Sequence, residues 1–159
     1  MSDPRIRNAT AADADAIASL LAAAFLEFQP FYTPEGFRAT TPDAAGVLTR
    51  MNEGPAWIAL DGTHVVGAAA AIDRGGEIYL RGMAVLPSAR GGGVATRLLA
   101  VVTAFAVDRG AQLLTLSTTP FLESAIRLYE RHGFAATDDR LDLFGTPLIR
   151  MVKRLPRQS

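Results

Sequence analysis

The chain has 159 residues and a mass of 16.9 kDa, the size of one domain around one buried core. Its 49% hydrophobic and 20% charged residues exclude a disordered chain. Sixteen basic residues balance sixteen acidic ones, so no overall charge favours nucleic acid or a membrane surface. The absence of cysteine excludes disulfides, thiolate nucleophiles and cysteine-ligated metal sites.

No apolar run approaches the roughly 20 residues of a membrane span. The start, Met1-Ser2-Asp3-Pro4, lacks a basic stretch followed by an apolar one, so no leader is expected. A cytoplasmic, single-domain protein spanning residues 1–159 is the expectation. Lys153 is the only lysine, and with 28 alanines this reads as the usage of a GC-rich genome. Residues 1–75 carry nine acids and five bases, whereas residues 76–159 carry seven acids and eleven bases. That basic second half suits an anionic ligand.

Arg5-Ile6-Arg7 alternates as a short strand. Thr10 then caps a helix, with Asp13 near its positive end. Ile17, Leu20, Leu21, Ala24, Phe25 and Phe28 form its apolar face, and Pro30 ends it. Residues 29–41 read as an irregular aromatic segment. Thr41-Pro42 starts a second helix, with Ala44, Val47, Leu48 and Met51 as its buried stripe. Three antiparallel strands follow, over 56–60, 64–72 and 77–85, joined by turns at Asp61-Gly62 and Arg74-Gly75-Gly76. A helix carrying Leu98, Leu99, Val102, Phe105 and Ala106 closes at Gly110. A strand spans 113–117, and Thr119-Pro120 begins a fourth helix that stops at Gly133. Segments 134–137, 141–144 and 148–152 are late strand candidates. A strand, a crossover helix and a strand imply one parallel pair within a mixed sheet. An α/β fold with a mostly antiparallel sheet and about four helices is expected.

Arg90-Gly91-Gly92-Gly93-Val94-Ala95-Thr96 lies where a buried strand hands over to a helix. Glycines there let backbone N–H groups approach a ligand, and a helix N-terminus favours phosphate. The loop is no Walker A motif, because no Gly-Lys-Ser/Thr follows. It is a poor dinucleotide fingerprint, because Thr96 replaces the third glycine. Taken alone, it reads equally as a flexible turn.

Two stretches change this. Met83-Ala84-Val85-Leu86-Pro87 precedes Arg90-Gly91-Gly92-Gly93-Val94-Ala95 and Leu98-Leu99. Ala125-Ile126-Arg127-Leu128-Tyr129-Glu130-Arg131-His132-Gly133-Phe134 follows. In these motifs, and in element order from residue 5 to about 154, the chain resembles the GNAT superfamily of N-acetyltransferases.

The resemblance implies a three-layer fold and acetyl-CoA as cosubstrate, without a metal. It implies that the backbone of Gly91–Thr96 receives the pyrophosphate. Met83, Ala84 and Val85 would pair with the pantetheine arm, and a main-chain N–H there would stabilise charge on the thioester oxygen. The acceptor is implied to be a primary amine of a small molecule or peptide, attacking the thioester directly in a ternary complex. Tyr129 would protonate the leaving thiolate, whereas by spacing alone it reads as part of its helix stripe with Ala125 and Ile126. Many members carry an asparagine three residues before the helix alanine. Leu122 stands here instead, leaving Thr118, Thr119 and Ser124 as nearby polar groups.

Glu77, Tyr79 and Arg81 share a strand face if no bulge intervenes. Glu77 is the candidate base, and Arg81 is a candidate partner for an acidic substrate. Glu27, Phe28 and Tyr32, with Phe31 and Phe37, are candidates for the acceptor pocket, although such rings also pack under loops. His64 and His132 have no metal-ligand spacing to acids. The exposed late strands leave an edge for a homodimer. The rival functions are a non-catalytic acyl-CoA-binding regulatory module and a purely structural dimerising domain.

Overall fold

Residues 4–156 are described by the computed structural model. Met1, Ser2 and Asp3, which carry the expectation of no leader, lie outside the described residues. Over residues 4–156 the apolar patterning produces seven strands and five α-helices. Their order is β1 (Arg5–Asn8), α1 (Ala14–Phe25), α2 (Pro34–Thr40), α3 (Ala44–Met51), β2 (Ala56–Asp61), β3 (His64–Asp73), β4 (Glu77–Val85), α4 (Val94–Asp108), β5 (Leu113–Thr118), α5 (Glu123–Arg131), β6 (Ala135–Leu143) and β7 (Thr146–Arg154). One sheet has the order β1-β2-β3-β4-β5-β7-β6, and its single parallel pair is β4–β5. This is the expected mixed α/β architecture with one more helix. No described helix is long and apolar enough to cross a membrane.

The extra helix is α2. Residues 29–41 carry no amphipathic stripe, but Thr33 accepts a hydrogen bond from Gly36 N–H at 3.0 Å and Pro34 occupies the first helical position. A cap and a preset φ are enough for a helix this short. Capping also moves the next start: Asp43, not Thr41, caps α3 by accepting from Gly46 N–H at 2.9 Å. The expected first helix ends at Phe25, and Phe28 and Pro30 fall in a 3₁₀ turn over Leu26–Phe31. The three late strand candidates become two strands around a two-residue turn, Phe144-Gly145. Both residues have positive φ, 50° and 93°, as a tight hairpin requires. Phe144 is therefore a turn residue.

At the start of α1, Asp13 accepts from Thr10 N–H at 2.8 Å and pairs with Arg7 at 2.9 Å. These hydrogen bonds, Arg7 first, lower its carboxyl pKa to about 2. Asp13→Ala is expected to cost about 1 kcal/mol in denaturant unfolding, the usual worth of a cap. A depressed pKa stabilises above the unfolded value, 3.8, and that contribution is lost as pH falls toward 2. Wild type should lose its advantage over the variant in that window.

Two cores flank the sheet. The larger gathers Trp57, Ile78, Leu80, Leu114, Leu116 and Met151 around Leu98, Leu99 and Val102 of α4, with Leu128 and Tyr129 of α5. The smaller packs Ile17, Leu20 and Leu21 of α1 and Val47 of α3 against Ile58, Leu60, Ala68 and Ala84. Ile78 and Leu80 thus face one core while Ala84 faces the other. A bulge reverses the alternation: Ala70 pairs with Arg81 but Ala68 pairs with Ala84, so β4 carries one extra residue. Gly82 permits it, with φ of +65°. Glu77, Tyr79 and Arg81 precede the bulge and share a face, as expected.

Candidate active site

The parallel pairing of β4 and β5 is brief. Glu77, Ile78 and Tyr79 pair with Leu113, Leu114 and Thr115, and there it stops. β4 runs on to Val85 and β5 to Thr118. Beyond Tyr79, β4 is held by β3 on one side only, so its other edge leaves backbone donors and acceptors free for a ligand. A cleft of about 800 Å³ opens along this gap.

Most expected site residues line it. Met83, Ala84 and Val85 come from the free end of β4. Arg90, Gly91, Gly93, Val94, Ala95 and Thr96 come from the loop and the first turn of α4, and Gly92 sits between them in sequence. Gly91 and Gly93 have φ of +85° and +81°, and a Cβ on either would meet no atom within 4 Å. Their backbone thus faces open space at a helix N-terminus, where an anion is favoured. Arg90 is tied down. It donates to the Ala24 carbonyl oxygen at 3.0 Å and pairs with the Glu27 carboxylate. The expected acceptor residue Glu27 is therefore a brace for the glycine loop and does not line the cleft.

Tyr129 reaches the cleft from α5 and is 6% exposed. Its ring packs edge-on against Phe134 at 5.6 Å. No hydrogen bond to its hydroxyl is formed among the described residues. Burial, and to a smaller extent Tyr79, push its phenol well above the ordinary value, so it stays protonated across neutral pH.

Glu77 departs from expectation. It does not line the cleft, because it sits at the paired start of β4. There it accepts from Thr115 Oγ1 at 2.8 Å and from Arg150 Nη2 at 2.9 Å. Both oxygens are engaged by β5 and β7, so this carboxylate is a cross-strand tie rather than a free base.

The aromatic segment divides its labour. Phe28 and Tyr32 line the cleft, and Tyr32 packs on Phe37 at 5.8 Å and on Phe121 at 4.8 Å. Phe37 lies behind Tyr32, and Phe31 is exposed. Burial raises the Tyr32 phenol, with the Thr119 and Thr40 hydroxyls opposing. Thr33 fixes this wall to the last hairpin by three hydrogen bonds: its N–H donates to Thr146 Oγ1 at 3.0 Å, its hydroxyl donates to the Phe144 carbonyl oxygen at 2.8 Å, and the Thr33 and Thr146 hydroxyls meet at 3.2 Å. Leu143 and Leu148 complete the wall.

Sequence reasoning missed Arg50 and Phe121 as cleft residues, while Thr119, expected as a polar neighbour of the cosubstrate's arm, also reads as a helix cap. Thr119-Pro120 reads as a helix start, yet α5 begins only at Glu123, after a turn closed by Leu122 N–H to the Thr119 carbonyl oxygen at 3.1 Å. Freed from capping, Thr119 is 2% exposed, and among the described residues its buried Oγ1 has the Tyr32 hydroxyl nearby but forms no hydrogen bond of good geometry. Such a poorly satisfied group is expensive unless a ligand reaches it. Thr119 is one of the polar groups near the missing asparagine. On α3, Leu48 points outward at 40% exposure, whereas Arg50 turns into the cleft. A rotation of the short stripe by less than a turn separates the two readings.

The family model described as Acetyltransferase (GNAT) family matches residues 16–134. Among curated protein sequences, none matches this one significantly. Several solved structures share its fold. The PaiA N-acetyltransferase of Thermoplasma acidophilum, in complex with coenzyme A, is 16% identical, with 98% of this chain and 100% of that chain covered and a TM-score of 0.82. A GCN5-related N-acetyltransferase of Rhodopseudomonas palustris is 24% identical over 98% of each chain, with a TM-score of 0.79. YncA of Salmonella typhimurium, with its cofactor acetyl-CoA, is 22% identical over 99% of this chain and 97% of its own, with a TM-score of 0.75.

Proposed function

Because the chain belongs to the GNAT acetyltransferase family, whose cosubstrate is acetyl-CoA, we propose that it acetylates a primary amine of a small molecule or peptide by direct attack in a ternary complex. One observation carries the reading: a buried, protonated phenol, Tyr129, opens on the same cleft as the glycine loop and the unpaired end of β4. These three features match the three parts of a CoA thioester.

The loop backbone from Gly91 to Thr96 would hold the pyrophosphate at the positive end of α4. The free edge of β4 from Met83 to Val85 would pair with the amide-bearing arm as an added strand. Thr119 Oγ1, poorly satisfied in the protein alone, would gain a partner there. A β4 amide N–H would oppose charge developing on the thioester oxygen. As the new C–N bond forms and the C–S bond breaks, Tyr129 would give its proton to the departing sulfur, and the proton shed by the acetylated nitrogen would pass through water and restore the phenol. The amine enters between Phe28, Tyr32 and the Arg81–Gly82 bulge, and Glu77 takes no part in the proposed chemistry.

Calorimetric titration with acetyl-CoA, with CoA as comparison, tests the first half. Saturable binding followed by thiol release with a panel of amines is the expected result. Binding without turnover of any amine would leave a regulatory acyl-CoA-binding module. Absence of binding at millimolar ligand would remove the reading altogether.

A further inference from the structure

Two arginines stand in the cleft with less negative charge than they need. Arg50 comes from α3 and Arg81 from β4, and both line the cleft beside the Gly82 bulge. Arg81 meets the Glu53 carboxylate at 3.4 Å, while its buried Nε has no hydrogen-bond partner among the described residues. Arg50 donates one nitrogen to the Ala39 carbonyl oxygen at 2.5 Å, and a Cβ on Gly82 would lie 3.9 Å from its other terminal nitrogen. Burial, and next the charge of Arg81, lower the Arg50 pKa, with Glu53 and Tyr79 opposing. Two guanidiniums against one carboxylate leave one positive charge in a partly enclosed site. Buried charge of that kind calls for a counter-ion.

We infer that Arg50 and Arg81 grip a carboxylate carried by the acceptor amine. The inference rests on the acetyltransferase reading. The position fits an acceptor better than the cosubstrate's phosphates. Tyr79, two residues before Arg81 on the same face of β4, lines the cleft together with Arg50, Arg81 and Tyr129, whereas the glycine loop lies at the start of α4. The charge fits a carboxylate better than a phosphate. One negative charge balances the cluster, and a dianion would leave an excess. Guanidinium donors, with Arg81 Nε still free, match a planar two-oxygen group.

Acetyl transfer by wild type is measured on matched acceptors that differ only at this group. Free amino acids are compared with their amides, and peptides beginning with Asp with those beginning with Asn. The carboxylate member should be preferred by about 10- to 100-fold in kcat/KM, the range that charged hydrogen bonds supply. That ratio should fall toward one in Arg50→Gln and in Arg81→Gln and be partly kept in Arg50→Lys. Because it is a ratio within one protein, a loss of folded enzyme cancels. A preference confined to amino acids or to peptides identifies the source of the carboxylate and supports the inference. Equal use of both members by wild type overturns it, as does an unchanged ratio in both glutamine variants. If neither member reacts, ligand-detected NMR on the acetyl-CoA-loaded protein reads the same pairs, and the absence of carboxylate-selective binding overturns it. Failure of acetyl-CoA itself to bind is a separate result that sinks the acetyltransferase reading instead.

Discussion

Tyr129→Phe lowers kcat by about 100-fold, at the lower end of what a positioned general acid contributes, and leaves CoA affinity within about threefold. The substitution removes one oxygen and keeps the ring, so the edge-on contact with Phe134 survives. Thiol release gives kcat and calorimetry gives affinity. If the two fall together, the residue is a packing element of the cleft and another group protonates the sulfur. The pH dependence is a second check. The phenol is raised above its ordinary value near 10 by burial, so Tyr129 imposes no falling limb on the rate at neutral or mildly alkaline pH. The same shift acts on stability. A raised pKa contributes stability that is fully present below the unfolded value, 10.0, and is lost as pH climbs above it. Tyr129→Phe should therefore unfold with less sensitivity to strongly alkaline pH than wild type.

Gly93→Glu abolishes saturable acetyl-CoA binding, a weakening of more than about 100-fold. Gly93 caps α4 with φ of +81°, a region that costs an L-residue about 1–2 kcal/mol. A Cβ there has no neighbour within 4 Å, so the side chain fits and points its carboxylate into the space assigned to the pyrophosphate. Two companions separate the effects. Gly93→Ala carries the backbone strain without the charge and should bind with a modest loss. Thr96→Glu carries a charge on the exposed first turn of α4 without touching the glycine and should weaken binding by an order of magnitude or more, through repulsion at the positive helix end. Thermal unfolding of each variant, without ligand, shows that the fold persists. Wild-type affinity in Gly93→Glu would move the phosphate site elsewhere in the cleft.

The parts of this site written in local sequence are the parts that were legible. The place of the glycine loop between strand and helix is read correctly, because it comes from contiguous residues: a buried strand, three glycines and an amphipathic helix. The meander and the parallel crossover are read from period and turn residues alone. The places that escaped are set by rotation and capping, which single positions decide. Thr33 adds one helix and Asp43 moves the start of another, through one hydrogen bond each. Leu48 leaves the expected stripe for solvent and Arg50 turns into the cleft, because a helix of eight residues gives too few turns to fix its apolar face. Thr119 reads as a cap, and only its turn with Leu122 leaves its hydroxyl unspent. Glu77 looks like a base because its partners, Thr115 and Arg150, lie 38 and 73 residues away, beyond any local pattern.

That pairing of Glu77 has a mechanical side. Four strands stand on one side of the gap and three on the other, and the ladder that joins them is only three residue pairs long. The sheet is thus two plates sharing a short hinge, and Glu77 is the rivet through it, fastening β4 to β5 and β7 at once. Past the rivet the plates can spread without breaking a strand-to-strand hydrogen bond between β4 and β5. A molecule laid along β4 in the gap becomes a strut between them. On this view the cleft is as wide as its rivet allows, and the cosubstrate completes the sheet as well as occupying it.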